Sequence, residues 1–326
     1  MAPISLAEAV TQALAYEMTH DDNVIVIGED IGANGGVFRT TVGLLEKFGD
    51  RRVIDTPLAE SMIAGLSIGM ATQGLKPVAE FQFMGFIYSA FDQILSHAAR
   101  LRNRTRGRLT CPVVFRAPFG GGIHAPEHHS ESMEALFAHI PGLRVVIPSS
   151  PLRAYGLLLA AIRNPDPVLF LEPKRIYRLH KQLVPDDGNA LPLDQCFLLR
   201  EGTDITLISW GAMIHETLLA ATELAERNIE ADVIDVATVS PLDIDTILTS
   251  LEKTRRCVII HEAPRSGGLG GEIAAQIAEY GFDFLEAPIQ RVTGYDTVMH
   301  YLKLEKMYMP SVKRITDAVD NIMEYV

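Results

Sequence analysis

Residues 24–28 read Val-Ile-Val-Ile-Gly, four β-branched side chains in succession closed by a glycine. Apolar and polar residues do not alternate here, so both faces of the strand need cover, as in a parallel sheet flanked by helices. The pattern recurs outward along the chain at 76–83 (KPVAEFQF), 112–117 (PVVFRA), 143–147 (LRVVI) and 168–171 (VLFL). Between these runs, 60–73, 86–101 and 151–163 carry helical spacing. A polar stretch with two prolines, HKQLVPDDGNALP (180–192), interrupts the series. A second cycle follows, with strands at 204–210, 232–236 and 257–260 and helices near 212–227, 243–253 and 271–280. Strand–helix alternation of this kind predicts the α/β class with mostly parallel sheets. The expected organisation is two α/β domains, 1–185 and 196–326, joined by a linker at 186–195.

At 326 residues the chain is long enough for two cores without disulfide or metal staples. Its three cysteines, Cys111, Cys196 and Cys257, are odd in number and form no CxxC pair, which argues against a disulfide framework or zinc ribbon. No apolar run approaches the roughly 20 residues of a membrane helix. The first residues lack a basic leader and carry Glu8 and Glu17, so a cytoplasmic protein without membrane attachment is expected. Charge is uneven. Residues 1–190 hold 19 acidic and 18 basic side chains, and residues 191–326 hold 22 and 11. A net charge of −12 disfavours a nucleic-acid partner. The excess of acid in the last part suits a basic protein partner there, or solubility alone.

Several short motifs invite chemistry. Gly65-Leu-Ser67-Ile-Gly69 matches a nucleophile elbow, but its flanks read as continuous helix rather than strand and turn. His124-Ala-Pro-Glu127-His128 matches a zinc pattern that needs one helix, and Pro126 disfavours that helix. The loop still concentrates His124, His128 and His129 before a helix expected near Ser130, and polar loops carry function. Gly267-Gly268-Leu-Gly270-Gly271 follows a strand and opens a helix, where tight helix–sheet packing is the favoured role over phosphate binding. Alternating Arg100, Arg102, Arg104, Arg106 and Arg108 read as a solvated loop or subunit contact. In Asp55-Thr-Pro57-Leu58-Ala-Glu60, proline breaks the strand and the glutamate opens a helix. A helix N-terminus favours an ionised carboxylate, whereas burial opposes it. Glu60 is therefore either a simple capping acid or a hydrogen-bonding acid of a site.

The ordered blocks VIGEDIG, GGVFR, DTPLAES, GFIYSAFDQI, FGGGIH, HHSES, HIPGLRVVIPSSP, NPDPVLFLEPKRIYR and GYDT span essentially the whole chain. Together they resemble the beta subunit of the thiamine-diphosphate-dependent 2-oxo acid dehydrogenases, the decarboxylating first component of those complexes. The resemblance implies a pyrimidine-binding thiamine-diphosphate fold followed by a transketolase C-terminal-like domain. It implies that Glu60 meets the aminopyrimidine ring and favours its imino tautomer, with Leu58 and Phe86 packed around it. Gln82 would face the pocket and Glu29 would supply a supporting acid. His129 would position the substrate or the lipoyl group and supply a proton in acyl transfer. The chain has no Gly-Asp-Gly and no Asn-Asn. The diphosphate and magnesium grip would then come from an alpha subunit in an assembly of two alpha and two beta chains. The acidic C-terminal domain would contact the subunit-binding domain of the lipoyl acyltransferase core. A potassium site is implied near Val113, Ala161, Ile162, Asn164 and Asp166, although Asn164-Pro-Asp166 departs from the usual run.

Substrate signals conflict. The block FGGGIHAPEHHSES resembles bacterial pyruvate-type subunits, whereas FAHIPG, FLEPKRIYR and HEAPRSGGLGGE with the later RVTGYDT resemble branched-chain types. The expected activity is oxidative decarboxylation of pyruvate with reductive acylation of the lipoyl group. Branched-chain 2-oxo acids come next and acetoin cleavage third. A non-catalytic scaffold is the reading of a different class, and the presence of both Glu60 and His129 argues against it.

Overall fold

The structure, a computed structural model, describes residues 2–325. Two compact units emerge, one from residues up to Phe119 with Leu136–Leu193, the other from Gly120–Ala135 with residues from Asp194 onward.

In the first unit the chain order is α1 (Leu6–His20), β1 (Val24–Gly28), α2 (Leu44–Phe48), β2 (Val53–Asp55), α3 (Glu60–Thr72), β3 (Lys76–Glu80), α4 (Leu101–Arg104) and β4 (Val114–Phe119). After α5 (Glu134–Ala138), whose first two residues belong to the second unit, come β5 (Arg144–Val146), α6 (Pro151–Arg163) and β6 (Val168–Pro173). The strands run β5-β6-β4-β3-β1-β2, each pair parallel. Every residue of β1, β4 and β6 is buried, as expected for strands covered on both faces. Helix α1 starts at a capping box, in which the Ser5 hydroxyl accepts from the Glu8 N–H and the Glu8 carboxylate accepts from the Ser5 N–H at 2.7 Å. Leu6, Val10, Ala13 and Leu14 then give it one buried stripe, which packs on α6. Helix α6 begins at Ser150, whose hydroxyl caps it, followed by Pro151.

Two segments differ from the sequence reading. β3 ends at Glu80 rather than continuing to residue 83. The span 86–101 is not one α-helix: Met84–Ala90 winds as a 3-10 helix and Gln93–Ala98 as a π-helix. The burial pattern explains it. Phe81, Met84, Ile87 and Ala90 are buried at steps of three, which suits a 3-10 winding, and Ile94 and Ala98 follow at a step of four.

The second unit contains β7 (Phe197–Arg200), β8 (Ile205–Ser209), α7 (Met213–Ala225), β9 (Ala231–Asp235), β10 (Thr238–Ser240) and α8 (Ile244–Thr254). It continues with β11 (Cys257–Pro264), α9 (Leu269–Tyr280), β12 (Gln290–Gly294), α10 (Leu302–Tyr308) and α11 (Val312–Met323). The sheet order is β12-β11-β8-β9-β7, parallel except for the β7 edge, which runs antiparallel to β9. The glycine run before α9 has the expected packing role. A methyl group on Gly268 or Gly270 would come within 2.8 or 2.6 Å of the His261 ring, so small residues let α9 lie against β11. Among the described residues no helix is long and apolar enough to cross a membrane.

Candidate active site

The first unit gathers its chemistry at the carboxyl ends of parallel strands, where open α/β sheets characteristically bind ligands. Glu29 follows β1 directly, Leu58 and Glu60 follow β2, and Gln82 and Phe86 follow β3. Glu60 is the first residue of α3, preceded by Ala59, and no side chain caps that helix. Its Oε2 accepts a hydrogen bond from the Ser89 hydroxyl at 3.3 Å. Ser89 lies in the 3-10 winding after β3, and its role is invisible in sequence because the partners are 29 residues apart. Glu29 feels Glu60: burial first, then the Asp30 and Glu60 carboxylates, raise the Glu29 carboxyl above its ordinary range. Leu58 is 70% exposed beside these acids, and Phe86 is half-buried. The result is a face of apolar surface with two repelling carboxylates. It fits a flat, partly apolar ring that can donate a hydrogen bond to a carboxylate.

Behind this face is a fully buried ionic cluster. Arg116 on β4 donates through Nε and Nη2 to Glu172 on β6 at 2.7 and 2.8 Å, and through Nη1 to Glu80 on β3. Its Nη2 also reaches the Thr40 hydroxyl at 3.0 Å. Sheet register sets the arrangement, because Glu80 stands opposite Arg116 and Glu172 opposite Pro118. Burial raises the Glu80 carboxyl, although Arg116 opposes the rise. The Tyr177 hydroxyl donates to Glu172 at 2.6 Å. Ring contacts then run from Tyr177 to Phe38 (5.2 Å), to Phe83 (5.4 Å) and to Phe86 (5.5 Å). The wall at Phe86 is thus connected to the buried cluster. None of the three charged residues stood out in the sequence, since each sits inside an apolar strand run.

His129 lies in the second unit, half-buried at the end of a single 3-10 turn, Glu127–His129. The helix expected near Ser130 starts only at Glu134. The segment is tied to its own unit: the Gly120 N–H donates to the Glu131 carbonyl at 2.8 Å and Ser132 Oγ to Glu262 Oε1 at 2.7 Å. The His124 N–H donates to Glu305 at 3.0 Å, and the Tyr301 hydroxyl to Glu127 at 2.9 Å. Ser67, the serine of the elbow-like motif, is buried within α3 and donates to the Ile63 carbonyl at 2.8 Å, so it is a helix-packing residue.

The residues of the implied potassium site lie before the amino ends of β4 and β6, opposite the strand ends that carry the acids. Their oxygens already accept protein donors: Val113 from Val168 N–H (3.0 Å), Ala161 from Asn164 N–H (3.2 Å) and the Asn164 side chain from Asp166 N–H (2.9 Å). Asp166 is paired with Arg102 at 2.6 Å, and Ile162 is buried in α6. Each of these carbonyl oxygens keeps a second lone pair beyond the one donor it accepts. Among the described residues no group of three or more His, Cys, Asp or Glu side chains could hold a metal ion.

Comparison with known proteins agrees with this architecture. Residues 2–180 match the family model "Transketolase, pyrimidine binding domain", and residues 194–315 match "Transketolase, C-terminal domain". The chain is 47% identical over 325 residues to the pyruvate dehydrogenase E1 component subunit beta of Bacillus subtilis, covering 100% of both chains. It is 45% identical over 325 residues to the protein of that name in Staphylococcus epidermidis, again covering 100% of both. With the Acholeplasma laidlawii protein of that name it shares 47% over 315 residues, 97% of this chain and 96% of the other. A solved structure, a split-gene transketolase described as an inactive beta4 tetramer, superposes with a TM-score of 0.82 over 99% of each chain at 23% identity, a likeness of fold. The chain belongs to the family of pyruvate dehydrogenase E1 component beta subunits.

Proposed function

We propose that the chain is the beta half of a thiamine-diphosphate-dependent enzyme. It decarboxylates pyruvate oxidatively and passes the acetyl group to the lipoyl arm of an acyltransferase core. The observation that carries the reading is Glu60, a carboxylate at the uncapped start of α3 with exposed Leu58 beside it and Glu29 close enough to feel its charge. Relatives that share its full length and are named for pyruvate support the substrate.

When bound, the cofactor supplies the nucleophilic carbon and the electron sink for decarboxylation. Glu60 would hold the aminopyrimidine through a hydrogen bond between its carboxyl and a ring nitrogen, favouring the imino tautomer, and the proton shared there would relieve its repulsion with Glu29. Leu58 and Phe86 give the ring apolar walls, and Gln82 supplies an amide at the rim. His129 would supply a proton to the lipoyl sulfur set free when the disulfide breaks and its other sulfur takes the acyl group. The diphosphate and its magnesium are held by an alpha subunit, in an assembly of two alpha and two beta chains. No step passes through a potassium ion. The acidic second unit docks the basic subunit-binding domain of the core, so raising salt weakens core binding more than alpha–beta pairing.

The test uses this chain co-purified with its alpha partner, thiamine diphosphate and magnesium. Decarboxylation of pyruvate and of 3-methyl-2-oxobutanoate is followed with an artificial electron acceptor. Preference for pyruvate is expected; preference for the branched acid overturns the substrate assignment.

A further inference from the structure

β1 and β2 pair up to a common point, where Gly28 stands opposite Asp55. There the Thr56 N–H donates to the Gly28 carbonyl at 2.9 Å. Beyond that bond the two chains part. Pro57 has no N–H with which to continue the ladder. The chain after β1 winds into a turn through Asp30 at φ +56°, Gly35 at +74° and Gly36 at +79°. Glu29 and Glu60 stand just past the parting, one on each side. Glu29 feels the charge of Glu60, a repulsion that favours spreading the two turns.

A side chain bridges the gap. Asp55 Oδ1 accepts the Gly32 N–H at 2.6 Å, across 23 residues of sequence. Gly32 is buried, so its N–H needs a partner, and the carboxylate supplies it. A methyl group on Gly32 would lie 2.5 Å from Oδ2 and 2.9 Å from Cγ of Asp55. Gly32 does not adopt a left-handed φ, so its backbone would accept alanine; the approach of the carboxylate is what excludes a side chain. The far end of the same loop is fixed to the sheet. Thr41 Oγ1 donates to the Ile31 carbonyl at 2.7 Å, Arg116 reaches the Thr40 hydroxyl at 3.0 Å, and a methyl group on Gly36 would lie 3.0 Å from Glu80 Oε1. The loop thus has a firm base at Glu80 and Arg116, and Gly32 is where it is held to the Glu60 turn.

We propose that Asp55 is a positioning residue. By holding the Gly32 N–H it keeps the Glu29 turn against the Glu60 turn and so fixes the separation of the two carboxylates. A hydrogen bond to a carboxylate is among the stronger ones, and part-exposed like charges repel weakly through water, so one such bond suffices. Release lets the acids drift apart, and the aminopyrimidine ring loses a carboxyl held at a set place. That consequence rests on the role given to Glu60 above; the tie between the turns does not.

The tie is read from amide exchange of Gly32 by nuclear magnetic resonance in the full chain. The consequence is read from calorimetric binding of thiamine diphosphate, with magnesium, to the chain assembled with its alpha partner. Wild type is expected to protect the Gly32 amide. Asp55→Ala frees it and weakens the cofactor about tenfold, while the pyruvate KM at saturating cofactor stays within about twofold. Asp55→Asn, whose amide oxygen still accepts, restores both. Gly32→Ala drives a methyl group into the carboxylate and weakens the cofactor as Asp55→Ala does. In the double variant the methyl group has room, so the second change adds no further loss. A Gly32 amide that exchanges alike in wild type and Asp55→Ala, losses that add in the double variant, or an Asp55→Asn no better than Asp55→Ala overturns the proposal. Should Asp55→Ala fail to assemble, Gly32→Ala carries the test, and cofactor affinity within about twofold of wild type overturns it. Glu60→Ala separates the tie from the role of Glu60. If Glu60→Ala binds the cofactor like wild type while Asp55→Ala still frees Gly32, the role of Glu60 falls and the tie stands. If Glu60→Ala loses the cofactor but freeing Gly32 leaves affinity unchanged, the role of Glu60 stands and the positioning is overturned.

Discussion

Replacing Arg116 by methionine removes the cation that Glu80 and Glu172 share. The side chain is 1% exposed and makes four hydrogen bonds, two to Glu172, one to Glu80 and one to Thr40. Methionine fills much of the volume, so packing loss is small and the electrostatic cost dominates. Breaking a buried pair from one side costs about 3–5 kcal/mol, since the remaining charge stays desolvated. In a domain of this size about 1 kcal/mol moves Tm by about 2–4 °C, which gives a fall of about 6–20 °C at pH 7. The pH dependence has a definite sign. Glu80 is already raised in the folded protein by burial, and without the guanidinium that opposes the rise it goes higher still. A carboxyl whose folded pKa exceeds its unfolded one stabilises fully below the unfolded value and loses that contribution as pH rises through the folded value. The deficit of Arg116→Met is therefore smaller at pH 5 than at pH 8. Thermal melting by circular dichroism at both pH values measures it. A Tm within about 2 °C of wild type, or a deficit that grows toward acid, refutes the reasoning.

Other outcomes follow from the same physics. His261 has a folded pKa of about 4, so its neutral form stabilises above about 6.5 and that contribution is lost as pH falls toward 4, to the extent of about 3 kcal/mol. Chemical denaturation of His261→Leu at pH 7, 5.5 and 4.5 is expected to show a flatter acid limb than wild type, and an unchanged slope refutes the assignment. The thiols of Cys111, Cys196 and Cys257 are buried, and burial raises all three, Cys111 and Cys257 to about 12. An aromatic disulfide reagent should label none in the folded chain and all three in denaturant; rapid labelling of a native thiol contradicts this. Gly120→Ala drives a methyl group into Glu262 and forces an unfavourable φ, so proteolytic cleavage within 120–135 should accelerate several-fold, read by mass spectrometry. Cleavage at the wild-type rate counts against the packing described for that loop.

Much of the fold was legible because its central strands are buried on both faces. VIVIG and VLFL could hardly be anything but interior strands, and the helical spacing over 151–163 became α6. What escaped was short or half-exposed. β2 has three residues and only Val53 buried, and β7 has none buried, so neither leaves an apolar run to read. The span 86–101 misled because a helical average of apolar residues conceals steps of three followed by four. Glu60 could be read as the first residue of a helix because Pro57 breaks the strand and the helix starts at the glutamate. Ser89, Arg116 and the pairing of Ser132 with Glu262 could not, since each depends on sheet register or on contacts up to 130 residues apart.

The most direct test of the account is the pyruvate decarboxylation rate of the assembled enzyme with Glu60→Ala, measured beside wild type with saturating thiamine diphosphate and magnesium. Assembly with the alpha chain is checked by gel filtration. A fall of at least about 100-fold with assembly intact is predicted, because the carboxylate proposed to hold the pyrimidine is gone. An assembled Glu60→Ala enzyme that turns over pyruvate within a few-fold of wild type would contradict the central claim.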